Sequence, residues 1–387
     1  MRHEIKSHDK AKLSCVMGAP QKPLGAAQNW HILRSMAKIP CEKKNIQQAL
    51  DHGLTSLFDP EPRDDADLWF LPQRDEAGLD PLLSPLPRAD QRKLFDAAAW
   101  RQAQGDLACD LAALCLRYGA LEERLAIGPQ SQLHRLALRE AADVSWWAGH
   151  HVGAERLSLW MGNHLGAGDD AQALTQAAWA ARRLMAGQGL AKGGWGAGIA
   201  AVLGHNPTEA IADAADVMAQ TGDLHPVTQA CVVFHTWQIV GHGPARQIEA
   251  AVLAAGHAAS MGQRGGGFLP LATAGVGGLQ AAGSPRARLS AWISGAQSAV
   301  SAALHHIERL GQWHATARSA VHTLGGRTPM MLVDLFAAWP MLSAPMAQAQ
   351  THASRAAVQR TIDKIAALGL IHEMTGQGRY RVWAAKL

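Results

Sequence analysis

Tyrosine is almost missing from this chain, and its cysteines lack any useful spacing. Two tyrosines and six phenylalanines in 387 residues supply few of the aromatic cross-strand pairs that favour sheets. The abundance of alanine and leucine favours helices instead. The five cysteines, Cys15, Cys41, Cys109, Cys115 and Cys231, are odd in number and form no C-x-x-C pair. That argues against a structural zinc site and against a secreted disulfide framework. No apolar run reaches the length of a membrane span. The basic opening "MRHEIKSHDKAKLS" lacks the apolar stretch of a secretory signal. A cytoplasmic protein with no membrane partner is the expectation.

What is present is enough for a large folded core: 48% hydrophobic and 18% charged residues. Thirteen tryptophans scatter along the chain and read as core and junction residues. The net charge of +4 is unevenly spread. Residues 1–50 hold nine Lys/Arg against three Asp/Glu, and residues 327–387 hold seven against three. The middle holds 20 against 26. Only the two ends attract a polyanion, and only the second has the pattern of a folded domain.

Residues 1–50 have weak periodicity and read either as a flexible basic arm or as an upstream extension, with Met36 as an alternative start. Prolines and aspartates at 51–90 exclude long helices, leaving a loop pinned to the body by Leu68, Trp69, Phe70 and Leu71. Helical spacing begins near Gln91 and runs through Leu107, Leu111, Leu114 and Leu121. Further helices are expected at 130–149, 153–163, 169–187, 208–220, 225–240, 245–260 and 285–313. The connector "GQGLAKGGWGAG" has Lys192 followed by glycine, so it is no phosphate loop and reads as a plain loop. Glycines 265–267 read as a flexible loop or as a place of close backbone approach. The helical body should span 91–315 and a linker 316–326, with no internal repeat.

The segment 327–387 carries the most specific pattern. "TPMMLVDLFAAWP" is a helix stopped by Pro340, and "SAPMAQAQ" is a short second helix with small Ala347 and Ala349 at its contact face. In "SRAAVQRTIDKIAALGL", Ser354 is the expected N-cap and Val358, Ile362 and Ile365 the buried stripe. Leu370 and Ile371 begin a strand, Gly376–Gln377–Gly378 is a turn, and "RYRVW" returns. Three helices and a hairpin are the layout of a winged helix-turn-helix, whose third helix enters the major groove. Arg355 and Gln359 are placed to reach base edges. Arg360, Lys364, Arg379 and Arg381 are placed to neutralise phosphates.

The sequence "ASRAAVQRTIDKIAALGLIHEMTGQGRYRVWAA" resembles the winged helix that follows the catalytic domain of many bacterial Fic-type (filamentation-induced-by-cAMP) proteins. From about 90 onward the chain also resembles a bacterial family described as domain of unknown function 1612 with a helix-turn-helix end. In Fic proteins a helix ending in histidine leads into H-P-F-x-x-G-N-G-R, where the histidine is the general base and the loop holds nucleotide phosphates. In "HPVTQACVVFHTWQIVGHGPARQIEAAVLAA" the resemblance puts His225–Pro226 at the helix start. His235 takes the upstream histidine position and His242 the catalytic one. Gly243 then replaces the proline and Pro244 the phenylalanine, the G-N-G is missing, and Arg246 comes too early. The Fic regulatory helix S-x-x-x-E-[GN] is similar in placement to "REAADVSWWAGHHV", but Val144 stands at the serine, Ala148 at the glutamate, and only Gly149 survives. Without phosphate-binding amides a lone imidazole has no substrate positioned against it. The resemblance therefore implies a vestigial site, with His235, His242 and Arg246 as its remains.

His150–His151 and His305–His306 show no H-E-x-x-H pattern or cysteine partner, and Ser145 sits in no nucleophile elbow. No cofactor and no enzymatic activity are expected. The fold class is mainly α, a degenerate Fic-like helical bundle followed by a C-terminal winged helix-turn-helix. Its expected function is double-stranded DNA binding as a homodimeric transcriptional regulator, the body serving dimerisation or sensing. The rival readings are a Fic-type nucleotidyltransferase with an altered loop and an antitoxin-like module whose winged helix docks protein.

Overall fold

The computed structural model describes residues 95–387 apart from 163–167, 188, 191–192, 205–207, 263–266 and 377–380. The basic extension 1–50, the segment 51–90 with its proposed plug, and Arg379 lie outside the described residues. The rest falls within one compact unit, Pro87–Leu387. It is mainly helical, and among the described residues no helix is long and apolar enough to cross a membrane.

The body begins with α1 (Ala97–Asp106) and α2 (Ala108–Ile127). The single helix expected from the apolar spacing is split at Leu107, where φ −107° and ψ 18° leave the helical region. Then come α3 (Gln130–Trp147), α4 (Ala154–Met161), α5 (Ala171–Ala186), α6 (Trp195–Leu203), α7 (Glu209–Ala219), α8 (Pro226–Val240) and α9 (Arg246–Ala258). α8 and α9 form an antiparallel-type pair at the centre, with α3 and α5 packed alongside. Leu136, Leu174, Phe234, Leu253 and Trp292 are among the residues sealed in this core. α6 starts inside the glycine connector that reads as loop. Glycine explains it: a Cβ on Gly198 would stand 1.9 Å from the Leu190 carbonyl oxygen, so only glycine lets the helix form there. A similar approach joins Gly187 (φ +49°) to the backbone of Gly267, which favours the close-approach reading at Gly267.

A 3-10 turn, Ala259–Met261, follows α9; residues 267–283 form no helix or strand, yet Phe268, Leu269 and Leu271 are buried. Backbone amides there need partners, and Glu140 of α3 supplies them. Its Oε1 accepts from Leu271 N–H (2.7 Å) and Ala272 N–H (2.8 Å). Its Oε2 accepts from Thr273 N–H (3.0 Å) and the Thr273 hydroxyl (2.6 Å). Burial pushes this carboxyl above its ordinary range while the four donors pull against that shift.

α10 (Pro285–Val321) starts on a Ser284 N-cap and Pro285, then runs unbroken for 37 residues. It was expected to end near 313, and the linker expected at 316–326 is helical through Val321. Packing is the reason. Leu289 to Ile307 belong to the body's core, whereas Leu310, Trp313, Ala317 and Val321 belong to the core of the C-terminal domain. The two cores meet inside one helix.

The C-terminal domain comprises α11 (Thr328–Ala338), β1 (Leu342–Ser343), α12 (Ala344–Thr351), α13 (Arg355–Ala367), β2 (Ile371–Glu373) and β3 (Val382–Ala385). The strands form an antiparallel sheet in the order β1–β3–β2. β1 was not foreseen, because two residues carry no alternation; pairing with Val382 and Trp383 makes it a strand. Val358, Ile362 and Ile365 are sealed as the helical pattern requires, and Trp313 Nε1 donates to the Leu370 carbonyl at 2.9 Å.

Glu140→Ala would leave three buried backbone donors unpaired, each costing about 1–3 kcal/mol. The urea midpoint of this variant should drop by an amount equivalent to roughly 3 kcal/mol or more. Glu140→Gln, which keeps one acceptor oxygen, should lose clearly less. Equal and small losses in both variants would contradict this anchoring role.

Candidate nucleic-acid interface

α12 and α13 are joined by a three-residue turn. His352, at φ 53°, closes α12 with its N–H bonded to the Gln348 carbonyl at 2.9 Å. Ser354 opens α13, its hydroxyl accepting from Ala357 N–H at 3.3 Å, as the N-cap reading expects. Sealed Ala347 lets the two helices approach, and α13 packs on α11, α12 and β2. Its other face is open.

Arg355, in the first turn, and Arg360 and Lys364 further along are exposed on α13, and among the described residues none of the three takes part in an ion pair. Gln359 is half-buried and already engaged, its Nε2 donating to Asp363 Oδ1 at 2.9 Å. To read a base it must first release Asp363. Arg381 differs from its sequence-based role more strongly. Its Nε lies 2.7 Å from Glu373 Oε2, and its guanidinium stands 5.2 Å from the Trp383 ring centroid. Register explains the arrangement: Glu373 pairs with Trp383 across β2 and β3, and Arg381, two residues before Trp383, points to the same side and meets the carboxylate. Arg381 braces the hairpin through this ion pair, which offsets part of the charge it could offer a phosphate. Arg379 lies outside the described residues. The structure therefore brings together Ser354, Arg355, Arg360 and Lys364 on one helix, with Gln359 and Arg381 occupied elsewhere.

The histidine loop is a short turn. Gly241 ends α8, and His242, Gly243, Pro244 and Ala245 lead directly into α9 at Arg246. His225 opens α8, its Nδ1 accepting from Val227 N–H at 3.2 Å. His235 lies within α8 with Nε2 buried and unpaired; burial, then the Arg288 charge, pushes its imidazole down to about 4. His242 and Arg246 are exposed. The cleft beside His242, about 340 Å³, is lined by Glu209 and Glu249 and, among the described residues, by no Lys or Arg. Glu249 is buried and accepts from Trp237 Nε1 at 2.9 Å. Carboxylates at that place repel a triphosphate.

Among the described residues, no three His, Cys, Asp or Glu side chains converge to hold a metal ion. Cys115 Sγ lies 3.6 Å from His225 Nε2. The Nδ1 acceptor role of His225 puts its neutral proton on Nε2, so it donates toward the sulfur and cannot serve as its base.

Sequence reading missed the residues that fasten the DNA-side domain to the body. Arg135 of α3 is buried, and its Nη1 donates to the Phe336 carbonyl (2.9 Å) and the Trp339 carbonyl (3.0 Å) at the end of α11. Burial lowers its guanidinium to about 10. The His134 ring meets Trp339 edge-on at 4.4 Å, and the Ser158 hydroxyl contacts the backbone of Met341. The available signal was charge inside an apolar stripe: Arg135 and Glu140 lie on the buried face of α3 among Leu136, Ala137, Ala141 and Val144.

Residues 330–385 match the family described as HTH DNA binding domain. The match covers α12, α13 and the hairpin and most of α11, so the chain carries a helix-turn-helix DNA-binding domain at its C-terminal end. No curated protein matches the chain.

The titrating groups give a signed pH dependence. His235, His257 and His306 are each pushed down to about 4, chiefly by burial, whereas an unfolded chain protonates histidine near 6.5. Each stabilises the fold above about 6.5, and that stability is lost as pH falls toward 4. Asp143 is raised to about 7 by burial, with Glu140 and Glu155 adding to the rise and Arg139 opposing it. In the same window its contribution, like that of raised Glu140, grows as pH falls. His134 and His225 are lowered by burial as well, so five histidines oppose two carboxyls and the Tm should fall from pH 7 to pH 5. Asp143→Asn should make that fall steeper, and a shallower fall in that variant would contradict the assignment.

Proposed function

We propose that the protein reads double-stranded DNA through a winged helix-turn-helix and acts as a transcriptional regulator. The observation that carries this reading is the set of exposed cations on α13, Arg355, Arg360 and Lys364, which have no ion-pair partner among the described residues. Arg355, in the first turn, is placed as a base-edge reader. Arg360 and Lys364 are placed along the same helix as phosphate contacts. The hairpin supplies the wing, with Arg381 as its internal brace.

On this reading the helical body is not an enzyme. Its resemblance to Fic proteins is that of a scaffold without the phosphate-holding loop, and the acidic cleft beside His242 supports the loss of nucleotide transfer. The body serves instead for dimerisation or sensing. Two half-sites raise the affinity that few phosphate contacts per chain cannot provide.

Selection from a randomised DNA pool should enrich one motif. On that motif Arg355→Ala should cost about 1–3 kcal/mol and relax one base position. Arg360→Ala and Lys364→Ala should weaken binding to all sequences and each flatten the salt slope by about one. Arg381→Ala should flatten that slope by less. Parent-like DNA binding in the Arg355 and Arg360 variants together would sink the reading and favour a protein-docking role for the domain.

A further inference from the structure

α3 presents Arg135, Arg139 and Asp143 at successive helical turns, and the N-terminus of α4 faces them. With Glu155, His306 of α10 and Pro340, these residues surround a cavity of about 350 Å³. That volume lies at the small end of ligand pockets, which run from roughly 300 to 1,000 Å³.

The charges in this cavity are poorly spent on one another. Arg139 Nε stands 3.7 Å from Asp143 Oδ2, beyond a hydrogen bond. Asp143 Oδ2 and His306 Nε2 are buried atoms with no hydrogen-bond partner. α4 begins on Gly153, which offers no side-chain cap, and carries Glu155 in its first turn, where a carboxylate suits the helix N-terminus. Arg139 and Asp143 thus stand one turn apart on α3, and Glu155 of α4 lines the same cavity. Two guanidinium groups face two carboxyls, so the complementary ligand carries both signs and little net charge. Trp146 and Val152 add an apolar flank.

The cavity also touches the DNA-binding domain. Arg135 lines it and holds the Phe336 and Trp339 carbonyls. Pro340 forms part of its wall, and the next residue, Met341, is bonded to Ser158 of α4. An occupant bridging α3 and α4 would bear on the residues that set how α11 sits.

We propose that this cavity binds a small zwitterion of the amino-acid class, its carboxylate on Arg139 and its ammonium on Asp143 and Glu155, and that occupancy alters DNA affinity through Arg135 and Pro340. Ligand binding stands alone; its effect on DNA rests on the regulator reading above.

The test uses the full chain without DNA first. Thermal unfolding is followed with each of the twenty L-amino acids at millimolar concentration, with inorganic phosphate and ethylamine as single-charge controls. At least one amino acid should raise Tm by a few degrees where both controls do not. Arg139→Ala and Glu155→Gln should abolish the shift while keeping the parent's circular dichroism. No shift with any amino acid, a shift matched by phosphate or ethylamine alone, or a shift that survives both substitutions overturns the site. The stabilising amino acid is then added to the selected DNA motif, where it should change the affinity of the parent by about fivefold or more but not that of Arg139→Ala. Binding without that change overturns the effector role. Failure of the unliganded protein to bind DNA strikes the regulator reading instead and leaves the thermal result to judge the site.

Discussion

A carboxylate removed from water must be met by donors, and in this protein that requirement organises the body. Glu140 is fully buried, and its two oxygens each take two hydrogen bonds from residues 271–273. Residues 268–273 have no helix or strand to satisfy their amides, so a buried path is open to them only where such an acceptor stands. Once they are fixed, Phe268 and Leu269 fill the core beside α9, and the chain is delivered to Ser284 to begin α10. The arrangement is sensitive as well as strong. A half-satisfied network is worse than an apolar core, which is why the two carboxylate oxygens and four donors must all be present together.

α3 extends the same principle to the second domain. Five residues before Glu140, Arg135 turns its guanidinium to the carbonyls that end α11. These are the acceptors a helix C-terminus leaves unpaired, and a cation is the favoured partner. α10 joins the domains from the other side, its first half in one core and its last three turns in the other. Asp334 of α11, bonded to His314 (2.7 Å) and Arg318 (2.7 Å) of α10, adds an exposed tie of small worth. The helix-turn-helix is thus built onto the body rather than hung from it.

The parts of this architecture that were legible in the sequence are those that local patterns encode. The stripe of Val358, Ile362 and Ile365, the cap at Ser354 and the stop at Pro340 each depend on neighbours within a turn or two. They place α13 and its N-terminus. The parts that were not legible depend on distant partners. Nothing near Arg381 in sequence marks it as paired, since Glu373 reaches it only through the register of two strands. Likewise the segment ending α10 looks like a linker because its apolar residues are sparse; Trp313, Ala317 and Val321 become core only once α11 is laid against them. Charged residues inside an apolar stripe, as at Arg135 and Glu140, were the overlooked sign, because such a residue demands a partner wherever the chain can supply one.

The distribution of free charge also bears on how the proposed regulator would work. With Arg381 partly compensated by Glu373, the described cations open to DNA on α13 are Arg355, Arg360 and Lys364. If one of them is turned to a base, two remain for phosphates, and a single chain would release only about two counterions' worth of binding free energy. Such an interface is weak at physiological salt and depends on what positions it. A second copy at a fixed spacing raises effective concentration without adding contacts, provided the two reading helices are held at the separation of the half-sites. That separation is not set by α13 but by whatever fixes its domain to the body, namely α10, Arg135 and the 339–341 segment. A modest change at that join would act on both half-sites at once, so the weakness of the single interface is what would make the join an effective place for control.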